Sequence, residues 1–202
     1  MKAKLHMKPI FLIGFMGSGK SYWGKIWAAK NGYSFYDLDT QIEESFKMTV
    51  EEIFEKKGED EFRKKERFFL RKFQNKKNYL VSCGGGTPCF FNNINFMQSQ
   101  GEVIYLKASP QYILDRVMDE TLKRPLLKEV NQSELLFFIQ KKLKEREPIY
   151  LKAHHVLEVT QLTEDSLAFL QKPLSSEKLK EADATPENSS AGIYKKPAKQ
   201  KS

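Results

Sequence analysis

The chain has 202 residues, a hydrophobic fraction of 40% and a formal charge of +8, which suits one globular domain with a sizeable core. Its basic start is followed only by a short apolar run, so we expect a cytoplasmic protein with neither a signal peptide nor a membrane span. Residues 172–202 carry +3 of the charge and the remainder is dispersed, which favours a cationic pocket for phosphorylated ligands over a nucleic-acid partner.

The first predicted strand, Ile10–Ile13, leads directly into the glycine-rich stretch Gly14–Ser21. Two glycines separated by four residues and followed by Lys and Ser are typical of a phosphate-binding loop. The glycines let backbone N–H groups point inward at an anion beside a helix N-terminus. Lys20 would place a positive charge at the outer phosphates, and the Ser21 hydroxyl would ligate Mg²⁺. The alternative is a strand-to-helix turn that binds no nucleotide.

Asp37 and Asp39 follow the second predicted strand, Ser34–Tyr36, and precede a helix predicted to begin near Thr40. Ligands collect at the carboxyl ends of parallel strands, which places these two side chains beside the loop. In an extended Asp-Leu-Asp segment both carboxylates share a face and repel each other unless cations or donors separate them. A metal ion on one and a substrate hydroxyl on the other would satisfy both. Helix capping by Asp39 is the alternative.

The next predicted helix begins with a capping pattern at Thr49, and Gly58 is predicted to break it before a second helix that runs to about Lys72. Arg63 and Glu66 are three residues apart and therefore lie on one helical face. An ordinary surface ion pair would explain them.

A third predicted strand, Tyr79–Ser82, leads into three consecutive glycines at positions 84–86. Glycines at the carboxyl end of a strand suggest a backbone that a ligand or side chain must approach closely. Cys83 and Cys89 flank this turn without metal-ligand spacing, so we expect free thiols.

The rest of the chain continues the alternation of strands and helices. Pro148 is predicted to end a long helix, and Met118–Lys128 fits a mobile basic flap over phosphates, with a plain surface loop as the alternative. The predicted elements are a strand at 103–106, helices at 109–117 and 133–145, a strand at 155–159 and a closing helix at 163–170.

This alternation predicts an α/β fold: a five-stranded parallel sheet with helices on both faces, in the three-layer arrangement of phosphate-loop kinases. We expect residues 1–8 to form an N-terminal extension and residues 9–171 the domain, with a mobile lid at about 118–128. Residues 172–202 are too polar to offset their ordering entropy and are predicted to be a disordered tail.

The order of these motifs resembles the shikimate kinase family, within the nucleoside-monophosphate-kinase-like group of phosphate-loop enzymes. The resemblance runs from Lys8 to Leu170. It rests on the loop, Asp-x-Asp after the second strand, Gly-Glu-x-x-Phe-Arg, the three-glycine turn, Arg-Pro-Leu-Leu and Arg-x-Pro-x-Tyr. It implies ATP-dependent phosphorylation of the 3-hydroxyl of shikimate to 3-phosphoshikimate, with Mg²⁺ as cofactor, in the biosynthesis of aromatic amino acids.

Carried over by position, the resemblance implies a role for each motif residue. Catalysis would involve Lys20, Asp39 and Arg124, with Asp39 either accepting the hydroxyl proton or only orienting the hydroxyl. The ATP phosphates would be bound by Gly14, Gly17, Ser18, Gly19, Lys20, Ser21 and Arg124. Shikimate would be bound by Asp39, Arg63, Gly84, Gly85, Gly86 and Arg146, and Mg²⁺ by Ser21 and, through water, Asp37. Arg116 is assigned no adenine contact, because residues 117–123 do not keep the family register.

Two rival functions are compatible with parts of this pattern. A gluconate or nucleotide kinase would share the fold, although two acidic residues with two arginines suit a hydroxylated carboxylic acid better. A nucleotide-gated binding module could contact nucleic acid through the basic tail, but it would not need a complete acceptor site. We expect a monomer that acts on ATP and shikimate, with neither nucleic acid nor a membrane as partner.

Overall fold

The predicted five-stranded parallel sheet is confirmed. A computed structural model describes residues 7–122 and 131–171. The strands lie in the order β2-β3-β1-β4-β5, and every neighbouring pair is parallel. Their bounds are β1 (Ile10–Ile13), β2 (Ser34–Asp37), β3 (Tyr79–Ser82), β4 (Glu102–Lys107) and β5 (His155–Glu158).

Helices connect the strands, as a parallel sheet requires. Among the described residues they are α1 (Lys20–Asn31), α2 (Leu38–Phe46), α3 (Val50–Arg71), α4 (Asn93–Gln100), α5 (Pro110–Leu122) and α6 (Gln132–Tyr150). Short 3-10 helices cover Thr87–Cys89, Val159–Gln161 and Ala168–Gln171.

The central strand β1 is the core of the sheet, and all four of its residues are buried. Phe11 pairs with Val81 of β3 on one side and with Val103 of β4 on the other. A strand covered on both faces is apolar along its whole length, which explains the unbroken run of hydrophobic residues. The chain returns to β3 on one side of β1 and to β4 on the other, so the loop after β1 lies at a switch point, where open α/β sheets bind ligands.

Helix α3 confirms two local predictions. The Thr49 hydroxyl accepts from the Glu52 N–H at 3.2 Å, and the Glu52 carboxylate accepts from the Thr49 N–H at 2.9 Å, which completes a capping box. Gly58 has φ 82° and ψ 166° inside the helix, so the predicted break is a kink between two helical stretches rather than a separate end and start.

Two predicted helix ends were wrong. Helix α5 continues past Val117 to Leu122. Helix α6 ends at Tyr150 with Pro148 inside it. A proline deletes one N–H donor, but in a last turn the loss is limited: Leu151 N–H still donates to Glu147 O at 2.8 Å.

One further helix was not predicted from the sequence, and one predicted helix was wrong. Helix α4 has eight residues and no side-chain N-cap bond, so its burial in the tertiary structure, and not its local sequence, defines it. The predicted closing helix at 163–170 is a turn followed by a 3-10 helix. The Ser166 hydroxyl accepts from the Thr163 N–H at 2.8 Å, and such a local bond competes with helix formation.

Among the described residues, one compact unit runs through Ser166, and residues 167–171 belong to a second unit. Several predictions fall wholly or mostly outside the described residues: residues 1–6 of the extension predicted at 1–8, residues 123–128 of the lid predicted at about 118–128, with Arg124, and the tail at 172–202. No helix in the described parts of the chain is long and apolar enough to cross a membrane.

Candidate active site

The predicted phosphate-binding loop joins β1 to the first residue of α1. Gly14, Gly17 and Gly19 have φ values of 144°, 74° and 85°, a region that residues with a Cβ rarely adopt. Lys20 is 8% exposed, and its ammonium group donates to Phe15 O at 2.8 Å, across the loop. Burial lowers the pKa of Lys20, while the negative charge of Asp39 opposes that shift. The loop thus holds a cation against its own backbone, at the N-terminus of a helix.

Buried polar atoms at this loop lack protein partners. Within the described residues, Ser18 Oγ and Asp39 Oδ1 are buried side-chain atoms with no hydrogen bond. Buried polar groups in folded proteins are almost always hydrogen-bonded, and exceptions call for an explanation such as a bound ligand. These two atoms lie in motifs that the sequence assigned to phosphate and to acceptor binding, and ligand contacts would satisfy both.

Three oxygen-bearing side chains meet where β2, β3 and α1 converge. The Ser21 hydroxyl donates to Asp37 Oδ2 at 2.5 Å and lies 3.2 Å from the Ser82 hydroxyl. No group of three or more His, Cys, Asp and Glu side chains within residues 7–122 and 131–171 could hold a metal. A protein cage is not what Mg²⁺ requires, because it usually takes one or two protein oxygens and completes its shell with phosphates and water. The Ser21–Asp37 pair fits that requirement.

Asp37, and not Asp39, caps the following helix. Asp37 Oδ1 accepts from the N–H groups of Asp39 and Thr40, at 3.1 and 3.4 Å. Helix α2 therefore begins at Leu38, and the expectation of an extended Asp-Leu-Asp segment with Asp39 as the alternative cap was wrong. An aspartate in the β-region accepts readily from the first turn of a helix, which fixes Asp37. Because Asp39 is not needed as a cap, its carboxylate is available for another partner.

The carboxyl group of Asp39 has a pKa raised to about 6. Burial is the largest cause, followed by the negative charges of Glu66 and Asp37, while Lys20 opposes the shift. Burial disfavours the charged form of a carboxyl group, and neighbouring carboxylates add to the effect. Asp39 is therefore poised to exchange a proton near neutral pH, between the loop lysine and a second carboxylate.

The predicted surface ion pair between Arg63 and Glu66 is buried, so the surface interpretation was wrong. Arg63 is 6% exposed and Glu66 is 0% exposed. Arg63 Nη1 donates to Glu66 Oε2 at 2.5 Å, and its other nitrogens contact Glu59 Oε1 at 3.0 Å. The ring centroid of Phe90 lies 4.5 Å from the guanidinium carbon. A kinked helix that packs against the glycine turn places this face inward, which helical spacing alone does not reveal.

Glu66 is a site residue that the sequence reasoning did not assign. Its Oε1 accepts from the Thr87 hydroxyl at 2.5 Å. Burial raises the pKa of Glu66, opposed by the positive charge of Arg63 and by the Thr87 hydrogen bond. Its spacing of three residues from Arg63 was the one available signal, and it gave no indication of burial.

The three-glycine turn lies against these side chains. A Cβ at Gly84 would be 2.6 Å from Asp39 Oδ1 and 2.8 Å from Glu66 Oε1, and one at Gly86 would be 2.5–2.7 Å from guanidinium atoms of Arg63. Real Cβ atoms essentially never come so close to another heavy atom. The prediction of a closely approached backbone is confirmed here, and the approaching groups are the side chains of the site itself.

Helix α6 contributes the second arginine. The guanidinium carbon of Arg146 lies 5.6 Å from the Phe15 ring centroid. One turn later, the Tyr150 hydroxyl donates to Gly85 O at 2.5 Å. Burial raises the pKa of Tyr150, so the hydroxyl stays a donor. The helix is thereby fixed to the glycine turn, and Arg146 faces the same space as Arg63.

One cavity of about 660 Å³ collects the predicted acceptor residues. Its volume suits a small molecule, and its wall combines two arginines with four carboxylates. A second cavity of about 570 Å³ is lined by Ser21, Asp37 and Asp39, so Asp39 borders both. The larger cavity is lined by Asp39, Arg63, Glu66, Gly84, Gly85, Gly86 and Arg146, together with Met16, Val50, Phe54, Glu59, Phe62, Cys89, Phe90, Lys142 and Glu145.

Two further arginines were considered for contacts with ATP, Arg124 and Arg116. Arg124 lies outside the described residues. Arg116 lies on α5, where its Nη2 donates to the Tyr112 hydroxyl at 3.1 Å. A Cβ at Gly17 would be 3.6 Å from the Arg116 Cβ, so the backbone of α5 adjoins the loop.

A family model, a curated relative and two solved structures agree on the family that this chain resembles. A sequence model described as shikimate kinase matches residues 16–175. The shikimate kinase of Phocaeicola vulgatus is 41% identical over 156 residues, which cover 77% of this chain and 89% of that protein. The crystal structure of shikimate kinase from Bacteroides thetaiotaomicron matches with a TM-score of 0.74 and 36% identity, over 86% of this chain and 99% of that one. The Acinetobacter baumannii shikimate kinase in complex with shikimate matches with a TM-score of 0.68 and 30% identity, over 89% and 96% of the two chains.

Proposed function

This chain belongs to the shikimate kinase family, and on that basis we propose that it transfers the terminal phosphoryl group of ATP to the 3-hydroxyl of shikimate, giving 3-phosphoshikimate and ADP. The observation that carries the proposal is the larger cavity, which Asp39, Arg63 and Arg146 line together, while Asp39 also lines the neighbouring cavity with Ser21 and Asp37. Family membership and the solved relative with bound shikimate support the same substrate.

The donor side is suited to the phosphates of ATP. Backbone N–H groups of Gly14–Ser21 and the N-terminus of α1 form an anion site, and the Lys20 ammonium is already held over the loop. Ser21 and Asp37 are the residues that would hold Mg²⁺, which supplies neutralisation of phosphate charge when it is bound.

The acceptor side is suited to a small hydroxylated carboxylic acid. Paired guanidiniums bind a carboxylate with a bidentate geometry that lysine cannot reproduce. Arg63 is held in place by Glu66 and the Phe90 ring, so its orientation exists before the substrate arrives. Asp39, whose charge interacts with that of Lys20, supplies an acceptor for ring hydroxyls.

The transfer forms a bond between the 3-oxygen and the γ-phosphorus as the bond from that phosphorus to the β,γ-bridging oxygen breaks. The hydroxyl proton leaves toward Asp39, whose pKa of about 6 allows it to accept one. Phosphoryl transfer requires little covalent chemistry from a protein, so alignment of the two substrates and charge neutralisation by Lys20 account for most of the catalysis.

We propose a monomer as the catalytic unit. ATP as the second substrate favours the cytoplasm as the compartment.

Measured release of ADP with shikimate, gluconate or a nucleoside monophosphate as acceptor tests the assignment. We expect turnover with shikimate at least a hundredfold above the ATPase background and above the other two acceptors, with the phosphorylated product identified by ³¹P NMR. ADP release with gluconate or a nucleotide but not with shikimate would assign the cavity to a different acceptor.

A further inference from the structure

The orientation of Arg63 depends on a carboxylate that has no solvent contact. Glu66 is 0% exposed, and its two oxygens have different partners: Oε2 accepts from Arg63 Nη1 at 2.5 Å and Oε1 from the Thr87 hydroxyl at 2.5 Å. A buried carboxylate is stable only when its oxygens are hydrogen-bonded and its charge is paired. Thr87 therefore satisfies the half of Glu66 that Arg63 does not reach.

Thr87 is itself fixed on three sides. Its N–H donates to Gly84 O at 3.0 Å, and its carbonyl accepts from Asn93 Nδ2 at 2.9 Å. Thr87 and Asn93 are both 0% exposed. The branched Cβ of threonine restricts rotation about χ1, so the hydroxyl has little freedom to turn away from Glu66.

The same short segment reaches Arg63 by a second route. The 3-10 helix Thr87–Cys89 leads directly to Phe90, whose ring lies 4.5 Å from the guanidinium carbon of Arg63. Thr87 fixes the start of this segment, and Phe90, which follows its end, makes the aromatic contact with Arg63. Arg63 is thus held through Glu66 on one face and through Phe90 on another.

We propose that Thr87 is a positioning residue for the acceptor site: its hydroxyl orients Glu66, and Glu66 orients Arg63 toward the carboxylate of the acceptor. This inference rests on the proposed function, because it assigns Arg63 to the acceptor. Thr87 is fully buried and does not line the acceptor cavity, so it should affect acceptor binding only through Glu66 and Arg63 and leave the nucleotide side unchanged.

The test compares Thr87→Val with Thr87→Ser in the full-length protein. Valine keeps the branched shape and removes the donor, which leaves Glu66 Oε1 buried without a partner, whereas serine keeps the donor. We expect the KM for shikimate to rise roughly tenfold in Thr87→Val, a change equivalent to about 1.4 kcal/mol. The KM for ATP and kcat should stay within about twofold of wild type, and Thr87→Ser should bring the KM for shikimate back to within about threefold.

Two results would overturn the proposal: an unchanged KM for shikimate in Thr87→Val, or an equal rise in Thr87→Val and Thr87→Ser. A fall in kcat with weaker binding of both substrates would also overturn it, because a general loss of structure predicts that pattern.

A second measurement does not depend on the substrate. In the ligand-free wild type, the ¹⁵N resonance of Arg63 Nη1 should show a rigid N–H, since Nη1 donates to Glu66 Oε2, whereas Nε donates to Glu59 and does not report on Glu66. We expect Thr87→Val to make this N–H mobile and Thr87→Ser to keep it rigid. An equally rigid Arg63 in Thr87→Val would refute the positioning role. Failure of wild type to use shikimate would refute the proposed function alone.

Discussion

The donor side and the acceptor side of this site are built in different ways. The phosphate loop is one continuous stretch, Gly14–Ser21, and the groups that would bind phosphates there are mainly backbone N–H groups whose direction is set by neighbouring glycines. The acceptor cavity is assembled from side chains on α2, α3 and α6 and from the backbone of the glycine turn. A local motif can therefore specify phosphate binding, whereas acceptor choice requires that distant segments meet. The two sides should respond to mutation separately, with Asp39 as the residue that belongs to both.

The largest expected effect is on the donor side. Lys20→Met removes the buried ammonium that would neutralise the transferring phosphate, and we expect kcat to fall by roughly 10²–10³-fold. The dissociation constant for shikimate should stay within about twofold, because the acceptor cavity keeps its arginines. Steady-state turnover and equilibrium binding of shikimate measure the two quantities.

Lys30→Met is the matched control for that variant. Lys30 lies in the last turn of the same helix and forms an exposed pair with Asp165 at 2.8 Å, so its loss should leave kcat unchanged. Loss of shikimate binding in Lys20→Met would show that the two sides are not separable.

The second largest effect should come from the glycine turn. An added Cβ at Gly86 would be 2.5–2.7 Å from guanidinium atoms of Arg63, whereas one at Gly85 would have its nearest atom at 3.4 Å. Gly86→Ala must displace Arg63, so we expect the KM for shikimate to rise roughly 10- to 100-fold with little change in the KM for ATP.

Gly85→Ala is the neighbouring comparison, since its Cβ would make ordinary contacts. Its rise in KM for shikimate should be at least several-fold smaller than that of Gly86→Ala. Equal effects from the two alanines would mean that general strain in the turn, and not the position of Arg63, controls acceptor binding.

Asp39 should connect the two sides through pH. Its carboxyl group has a pKa of about 6 in the ligand-free protein, so kcat/KM for shikimate should fall as pH decreases through 6 and Asp39 becomes protonated. Asp39→Asn should lower turnover and remove this acid limb. Retained kcat with weaker shikimate binding would leave Asp39 with an orienting role only, whereas loss of kcat would support proton acceptance.

The same group gives a stability prediction with a definite sign. Between about pH 4, the ordinary range for aspartate, and the folded value of about 6, the folded protein binds more protons at Asp39 than the unfolded chain. The contribution of Asp39 to the free energy of unfolding therefore decreases as pH rises through this window. At pH 7.5, Asp39→Asn should unfold at a higher temperature than wild type, by roughly 2–4 °C for each kcal/mol of relieved destabilisation. A lower melting temperature at pH 7.5 would contradict the raised pKa.

The division between the two sides also explains which features the sequence predicted. The loop and the five parallel strands were predictable because each depends on residues adjacent in the chain. The role of Glu66 was not, because its partner Thr87 is 21 positions away and burial depends on how α3 packs against the glycine turn. Asp37 and Asp39 were placed beside the loop, but the torsion angles that decide which one caps α2 cannot be read from the spacing. Pro148 was predicted to end its helix, but α6 continues to Tyr150, because a proline is tolerated where few helical hydrogen bonds follow it.

The smallest expected effect tests the contact that fixes α6 to the glycine turn. Tyr150→Phe removes the hydroxyl that donates to Gly85 O and leaves a backbone acceptor in a partly buried place. We expect a loss of roughly 1–2 kcal/mol in the free energy of unfolding, measured by urea denaturation. The KM for shikimate should rise only about two- to threefold, because Arg146 moves slightly while Arg63 stays held by Glu66. Tyr22→Phe is the control, since Tyr22 is 60% exposed and the loss of an exposed hydroxyl should leave the free energy of unfolding nearly unchanged. A shikimate KM as high in Tyr150→Phe as in Gly86→Ala would mean that Arg146, and not Arg63, is the principal carboxylate receptor of the acceptor side.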